Sequence, residues 1–178
     1  MKVDLMREPS KQLILSVPPE EITSLRVWHC KYKSLKAIEQ CVNLRELVIG
    51  TLPDDSVDFL SGLKQLEYLR ILHMPKLRQI SALAQLDAMI CLSLATAPSW
   101  DSAGKRTVID TLEPISALPA LKHVELICVI PADGSLDPLA SVPRLESARL
   151  GGYPTDLVTR FYAMTGVRDN FNPSSSFD

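Results

Sequence analysis

Between Ser34 and Ile49 the apolar residues Leu35, Ile38, Cys41, Leu44, Leu47 and Ile49 fall in the spacing L-x-x-I-x-x-C-x-x-L-x-x-L-x-I. Neither a regular helix nor a regular strand generates it. Steps of three suit a tight helical or irregular arc, whereas Leu47-x-Ile49 is the two-residue step of a strand. A unit made of one short strand and one return arc points to a solenoid, in which each turn is covered by its neighbours.

The spacing recurs. The strand pattern L-x-x-L-x-L reads as Ile22/Leu25/Val27, Leu44/Leu47/Ile49, Leu66/Leu69/Ile71, Leu86/Met89/Cys91, Leu121/Val124/Leu126 and Leu145/Ala148/Leu150, with steps of 22, 22, 20, 35 and 24 residues. The return arcs repeat too: Ile80-Ser81-Ala82-Leu83 reappears letter for letter as Ile115-Ser116-Ala117-Leu118, and Leu112–Leu121 matches Leu136–Leu145 in residue class at almost every position. Pro114 and Pro138 each follow an acidic residue, a favourable start for one helical turn, and Pro119 and Pro143 close it. These arcs are predicted to be short helical or 3₁₀ turns. The arc from Asp54 or Asp55 to Leu63, with a longer proline-free run behind an acidic cap, is predicted to be the most helical.

Residues 22 to about 153 resemble the short, internalin-like class of leucine-rich repeats, with its L-x-x-I-x-x-L-x-x-L-x-x-L-x-L frame. The resemblance implies an α/β solenoid of about six repeats: a right-handed superhelix, a parallel sheet on the concave face, and short helical or 3₁₀ return arcs. It also implies a role in holding protein partners. The chain departs from that class where the family usually places a turn asparagine, carrying Cys30, Leu52, Met74, Leu94, Val129 and Tyr153 instead.

Around repeats spanning 20–155, the flanks read differently. Residues 1–19, with Val3/Leu5 and Leu13/Leu15/Val17 on either side of Glu8-Pro9-Ser10-Lys11, are predicted to form a hairpin-like N-terminal cap. The long step encloses a polar insertion at 95–111, read as a loop on one rim of the concave surface. Residues 156–167 carry Leu157, Val158, Phe161 and Met164 at helical spacing before Gly166, a C-terminal cap helix, and 168–178 reads as a disordered tail.

Composition narrows the function. An apolar share of 46% over 178 residues suffices for one continuous core, and a net charge of −2 with pI near 5.9 and no basic run argues against a nucleic-acid partner. Charges in the first eight residues break any signal-peptide apolar region, and no apolar span reaches membrane length, so a cytoplasmic protein with no membrane partner is expected. Cys30, Cys41, Cys91 and Cys128 form no C-x-x-C pair, and no metal or other cofactor is predicted.

If Leu25 and Val27 point inward, residues 24, 26 and 28 of that repeat point out onto the concave face, and the register can be carried through the chain. The predicted partner surface combines apolar Trp28, Leu72, Ile90, Leu92 and Ile127 with Arg26, Glu46, Tyr68, Arg70 and Glu125 for orientation. Trp28 is read either as covered by the N-terminal cap or as exposed, and Trp100 of the insertion either as a lid over Leu92 and Ile127 or as an anchor for the partner. The leading reading is a non-catalytic module that binds an unidentified protein, as a monomer or weak homodimer. A self-assembling structural protein is the alternative. An enzyme built on Cys128, His73 and His123 is a weaker rival, because no phosphate loop, H-E-x-x-H or G-x-S-x-G occurs.

Overall fold

The repeat spacing becomes a stack of short parallel strands. A computed structural model describes residues 1–178. Its main sheet contains β1 (Lys2–Met6), β2 (Ser24–Trp28), β3 (Glu46–Ile49), β4 (Tyr68–Leu72), β5 (Cys91–Ala95), β7 (His123–Ile127), β9 (Ser147–Gly151) and β10 (Arg168–Asp169) in that order, all parallel. A second parallel pair joins β6 (Thr107–Ile109) to β8 (Val129–Pro131). The return arcs run through 3₁₀ turns at Lys36–Gln40, Asp58–Leu60 and Ser81–Gln85 and through one-turn helices α2 (Glu113–Ser116) and α3 (Asp137–Ala140). The helix α1 (Pro98–Ser102) belongs to the insertion, and α4 (Thr155–Thr165) follows the last repeat. No helix is long and apolar enough to cross a membrane.

Stacking places equivalent apolar residues of successive repeats in columns between sheet and arcs. Leu25, Leu47, Leu69, Leu92, Val124 and Ala148 form one such column, each fully excluded from solvent, within one continuous cluster of 41 buried side chains. Burying a leucine of this kind contributes about 1.5–3 kcal/mol relative to leaving it exposed.

The fourth repeat is shifted by three residues from the register read in the sequence. Leu69 pairs with Leu92 and Ile71 with Leu94, so its frame is Met89/Leu92/Leu94 rather than Leu86/Met89/Cys91, and the steps become 22, 22, 23, 32 and 24. Leu92, assigned to the partner surface, is therefore a core residue with no exposed area. Met89 and Leu86 are buried in the same cluster, which is why both frames look apolar in sequence.

The turn after each strand works without asparagine. Leu52, Met74 and Val129 point inward and are fully buried, and with the register corrected Ala97, not Leu94, occupies the fourth position of that column. Backbone bonds between repeats continue through the bend: Leu52 N donates to His73 O (3.0 Å), His73 N to Ala95 O (2.7 Å), Thr96 N to Ile127 O (3.0 Å) and Cys128 N to Gly151 O (2.9 Å). The sharp bend puts His29, His73 and Cys128 in the left-handed region, with φ of 51°, 68° and 54°, a conformation costing L-residues roughly 1–2 kcal/mol each. Gly152 takes the same place in the last repeat at φ 84°, where a Cβ would lie 2.8 Å from Cys128 Sγ.

Three expectations are corrected. The N-terminal segment is no hairpin: β1 pairs in parallel with β2, Val3 opposite Leu25 and Leu5 opposite Val27, because its alternating residues fit the solenoid's own strand period. Residues 13–17 form no strand, although Leu13 is buried. The arc at 54–63 is the least helical of the set, with three residues of 3₁₀ turn, whereas the proline-led arcs form α2 and α3. Proline fixes φ near the helical value at a position whose N–H has no helical partner.

The register assignment makes an opposed pair of predictions. Leu92→Ala should cost about 2–5 kcal/mol, the range for emptying a packed leucine site, and Leu72→Ala, on the half-buried concave side, about 1 kcal/mol or less. Urea unfolding midpoints of the two variants check this, and a larger loss at Leu72 would return the fourth repeat to the sequence-derived frame.

Candidate protein-binding surface

Strand alternation sends three columns of side chains onto the concave face. With the corrected register the first is Ser24, Glu46, Tyr68, Cys91, His123 and Ser147, and the middle one is Arg26, Val48, Arg70, Ser93, Glu125 and Arg149. In the third, Leu72 lies beside Ala95, which lies beside Ile127. The predicted apolar surface is therefore not continuous through Leu72 and Leu92, because Leu92 lies in the core. The middle position of β5 holds Ser93, fully buried, whose hydroxyl donates to Glu125 Oε2 at 2.6 Å. Arg149, largely exposed, reaches the other carboxylate oxygen at 3.4 Å.

Ile90 precedes β5, half-buried against a second small cluster formed by Val48, Tyr68 and Cys91. Trp28 packs on that same cluster and is half-buried, with Met6 of β1 opposite it in the register. Its ring occupies space that Gly50 leaves open: a Cβ at residue 50 would approach Trp28 Cδ2 and Cε3 to 3.1 Å.

At the β1 end, Arg26 donates from Nε to Asp4 Oδ1 at 2.8 Å, and this hydrogen bond is the first cause holding the Asp4 carboxyl below its usual range. At the other end, His123 Nδ1 lies 2.8 Å from Ser147 Oγ, and burial holds its imidazole below the usual value.

The largest departure from the sequence reading is the tail. Residues 168–178, expected to be disordered, add β10 beside β9 and then return across the concave face. Ser175 Oγ and Ser176 N each donate to Glu46 Oε1 at 2.7 Å, and Ser176 Oγ donates to Glu46 Oε2. Phe177 rests on the Val48–Tyr68–Cys91 cluster, with Lys2 Nζ 4.2 Å and Arg26 Cζ 5.1 Å from its ring centroid. Arg26 also donates to Phe177 O at 3.1 Å, and Asp178 Oδ1 lies 3.5 Å from Arg70. Burial pushes the Glu46 carboxyl up, but the Ser176 and Ser175 hydroxyls and the Ser176 N–H outweigh it and hold it below 4.5. Five of the sequence-predicted residues, Arg26, Trp28, Glu46, Tyr68 and Arg70, are thus gathered around this pocket, while Glu125 and Ile127 lie further along the sheet. Beyond the tail remains an open recess of about 390 Å³, lined by Ile90, Cys91, His123 and Ser147 on the sheet side and by Arg168, Asn170, Asn172 and Pro173 on the tail side.

The one sequence signal for this contact was Phe177, an aromatic residue among serines that a solvated tail does not need. Its partners on the sheet are distant in sequence, the nearest of the cluster being Cys91, and no local pattern links them.

The 95–111 insertion is not a structureless loop, because it contains α1 and β6. Trp100 cannot form a lid over Leu92, which lies in the core. It packs edge-on against His73, ring centroids 5.0 Å apart at 71°, with Lys105 Nζ 4.9 Å from its own ring. Trp100 Nε1 and His73 Nδ1 are both buried without hydrogen-bond partners. Asp101 accepts from the Thr96 hydroxyl beside Cys128. Burial first, then Asp101, raises the Cys128 thiol, the opposite of what a nucleophilic cysteine needs. His73 and Cys128 stand on the rim two strands apart, and His123 is on the concave face, so the three do not meet.

No protein-family model matches the chain, and no curated protein matches it. Among solved structures it is similar to two internalins of Listeria monocytogenes. Internalin C2 superposes with a TM-score of 0.58 at 22% identity, over 82% of this chain and 60% of that one. The internalin InlF superposes with a TM-score of 0.52 at 19% identity, over 75% of this chain and 42% of that one. The chain thus spans less than two thirds of the length of either.

The Trp100–His73 contact predicts a coupled change. Burial is the first cause holding His73 below its usual 6.5, so Trp100→Ala should raise the His73 titration midpoint, read by NMR, and cost about 1 kcal/mol through the lost aromatic contact. A folded value below 6.5 means that the folded chain binds fewer protons than the unfolded one. The His73 contribution to stability is therefore complete above pH 6.5 and lost as pH falls through the lowered folded value. His73→Asn, which tolerates the left-handed backbone, should flatten that acid-side slope. The shared architecture identifies the chain as having the leucine-rich-repeat solenoid fold seen in these internalins.

Proposed function

We propose that this chain is a non-catalytic protein-interaction module that holds a partner protein on its concave face, with the 95–111 insertion forming one wall. The observation that carries the reading is the set of outward columns on a single parallel sheet. Arg26, Arg70 and Arg149 alternate there with Glu46 and Glu125 around Trp28, Tyr68, Leu72, Ile90 and Ile127, all held on stacked, hydrogen-bonded strands. Preorganisation lowers the ordering cost of association. The likeness in fold to the internalins agrees with such a role, and Trp100 contributes to it as a rigid rim element stacked on His73. All four cysteines are free, in keeping with a reducing, cytoplasmic setting.

Self-assembly is the less favoured reading. The outer strand β1 presents the charged residues Lys2 and Asp4, and β10 at the other edge is only two residues long, both features that discourage edge pairing.

The test is capture of the partner from native cells by charge-reversed variants. Arg149→Glu on the concave face should reduce recovery about tenfold or more, the scale for disrupting a charged contact in an interface, while Lys36→Glu on the return arc leaves it unchanged. Loss through Lys36 with full recovery through Arg149 would move the interface to the convex side.

A further inference from the structure

Segment 175–178 meets the concave face as a ligand meets a receptor, one complementary group at a time. Two hydroxyls and an N–H converge on the single carboxylate of Glu46. A ring is laid on an apolar floor under two cations, and a carboxylate faces Arg70. Lys2, Arg26, Glu46 and Arg70 point outward, and the repeat frame, which needs only the inward residues, does not call for them. The hydroxyl of Tyr68 is buried in the same place without a hydrogen-bond partner, a polar group that the tail leaves unused.

We propose that the pocket of Lys2, Arg26, Glu46, Val48, Tyr68 and Arg70 recognises an extended protein segment bearing two adjacent hydroxyl residues, an aromatic ring and a carboxylate in that order. Ser175-Ser176-Phe177-Asp178 is its built-in occupant. This rests on the reading of the concave face as a partner surface and names the chemistry of the partner. Tethering gives the tail an effective concentration on the order of millimolar, so a partner segment must out-compete it. A partner that also donates or accepts at the Tyr68 hydroxyl has a contact the tail lacks.

The experiment uses the full chain with the tail weakened in place, Phe177→Ala/Asp178→Ala. The probe is a fluorescein-labelled peptide of residues 170–178, followed by anisotropy. The substituted chain should bind the peptide at least about tenfold more tightly than the unsubstituted chain. Adding Arg70→Glu, or replacing the peptide's phenylalanine by alanine, should abolish binding. Ser176→Glu, which sets a carboxylate against Glu46, should free the pocket independently and give the same gain. If both freed chains retain native circular dichroism and neither binds the peptide at millimolar concentration, the proposal is overturned. Should Arg149→Glu still abolish partner capture in that case, the broader reading survives alone. If the unsubstituted chain is a dimer by light scattering that dissociates on Phe177→Ala/Asp178→Ala, the receptor of the tail is a second copy, and the proposal of a separate partner segment falls.

Discussion

Everything on this molecule's surface depends on the in-register stacking of parallel strands over buried aliphatic columns. A strand of five residues has little stability of its own, and each return arc is too short to form an isolated helix. What holds them is that Leu47 is covered by Leu25 and Leu69, Leu92 by Leu69 and Val124, and so on along the axis, with the evenly spaced hydrogen bonds of a parallel ladder joining neighbouring strands. Because side chains alternate with a period of two, fixing the inward residues fixes the outward ones. A slip of register in one repeat would exchange core and surface there.

The same stacking explains the rim. Each strand turns sharply at its end, with left-handed backbone at His29, His73 and Cys128, and polar side chains there bond along the column, as His29 Nδ1 does with Thr51 Oγ1 at 3.2 Å. The insertion enlarges this rim by adding β6 to β8, and Trp100 covers His73. On the concave side, the sheet offers Glu46 and Arg70 to whatever arrives, and the chain's own segment 175–178 is there. The face is therefore divided into a pocket already matched by complementary groups and an adjoining recess beside His123 and Ser147.

The repeat architecture was legible because its signal is periodic and because each arc repeats residues as well as spacing, as at Ile80–Leu83 and Ile115–Leu118. The register of the fourth repeat was not, since Leu86, Met89, Cys91, Leu92 and Leu94 satisfy two overlapping frames three residues apart. Cysteine behaves as a small hydrophobe in either. Only pairing with β4 separates them, which is a non-local fact. The strand at Lys2–Met6 carried the right alternation but no indication of parallel pairing. The serine-rich composition of the tail predicts disorder, yet a docked segment needs few apolar atoms when its polar groups find partners. Those partners, Glu46 and Arg70, are too distant in sequence for any local rule. Of the surface residues chosen from sequence, Arg26, Trp28, Glu46, Tyr68 and Arg70 surround the occupied pocket, Glu125 is tied to Ser93 and Arg149, and Leu92 belongs to the core.

Stacked register builds a concave pocket in which Phe177 is seated between cations and a small apolar floor. Nuclear Overhauser contacts in uniformly labelled protein test this arrangement most directly. Cross-peaks are expected from the Phe177 ring to the methyl groups of Val48, with Leu92 methyls contacting Leu69 and Val124 and none of the tail. A Phe177 ring without contacts to Val48, or Leu92 methyls in contact with residues 175–178, would contradict it.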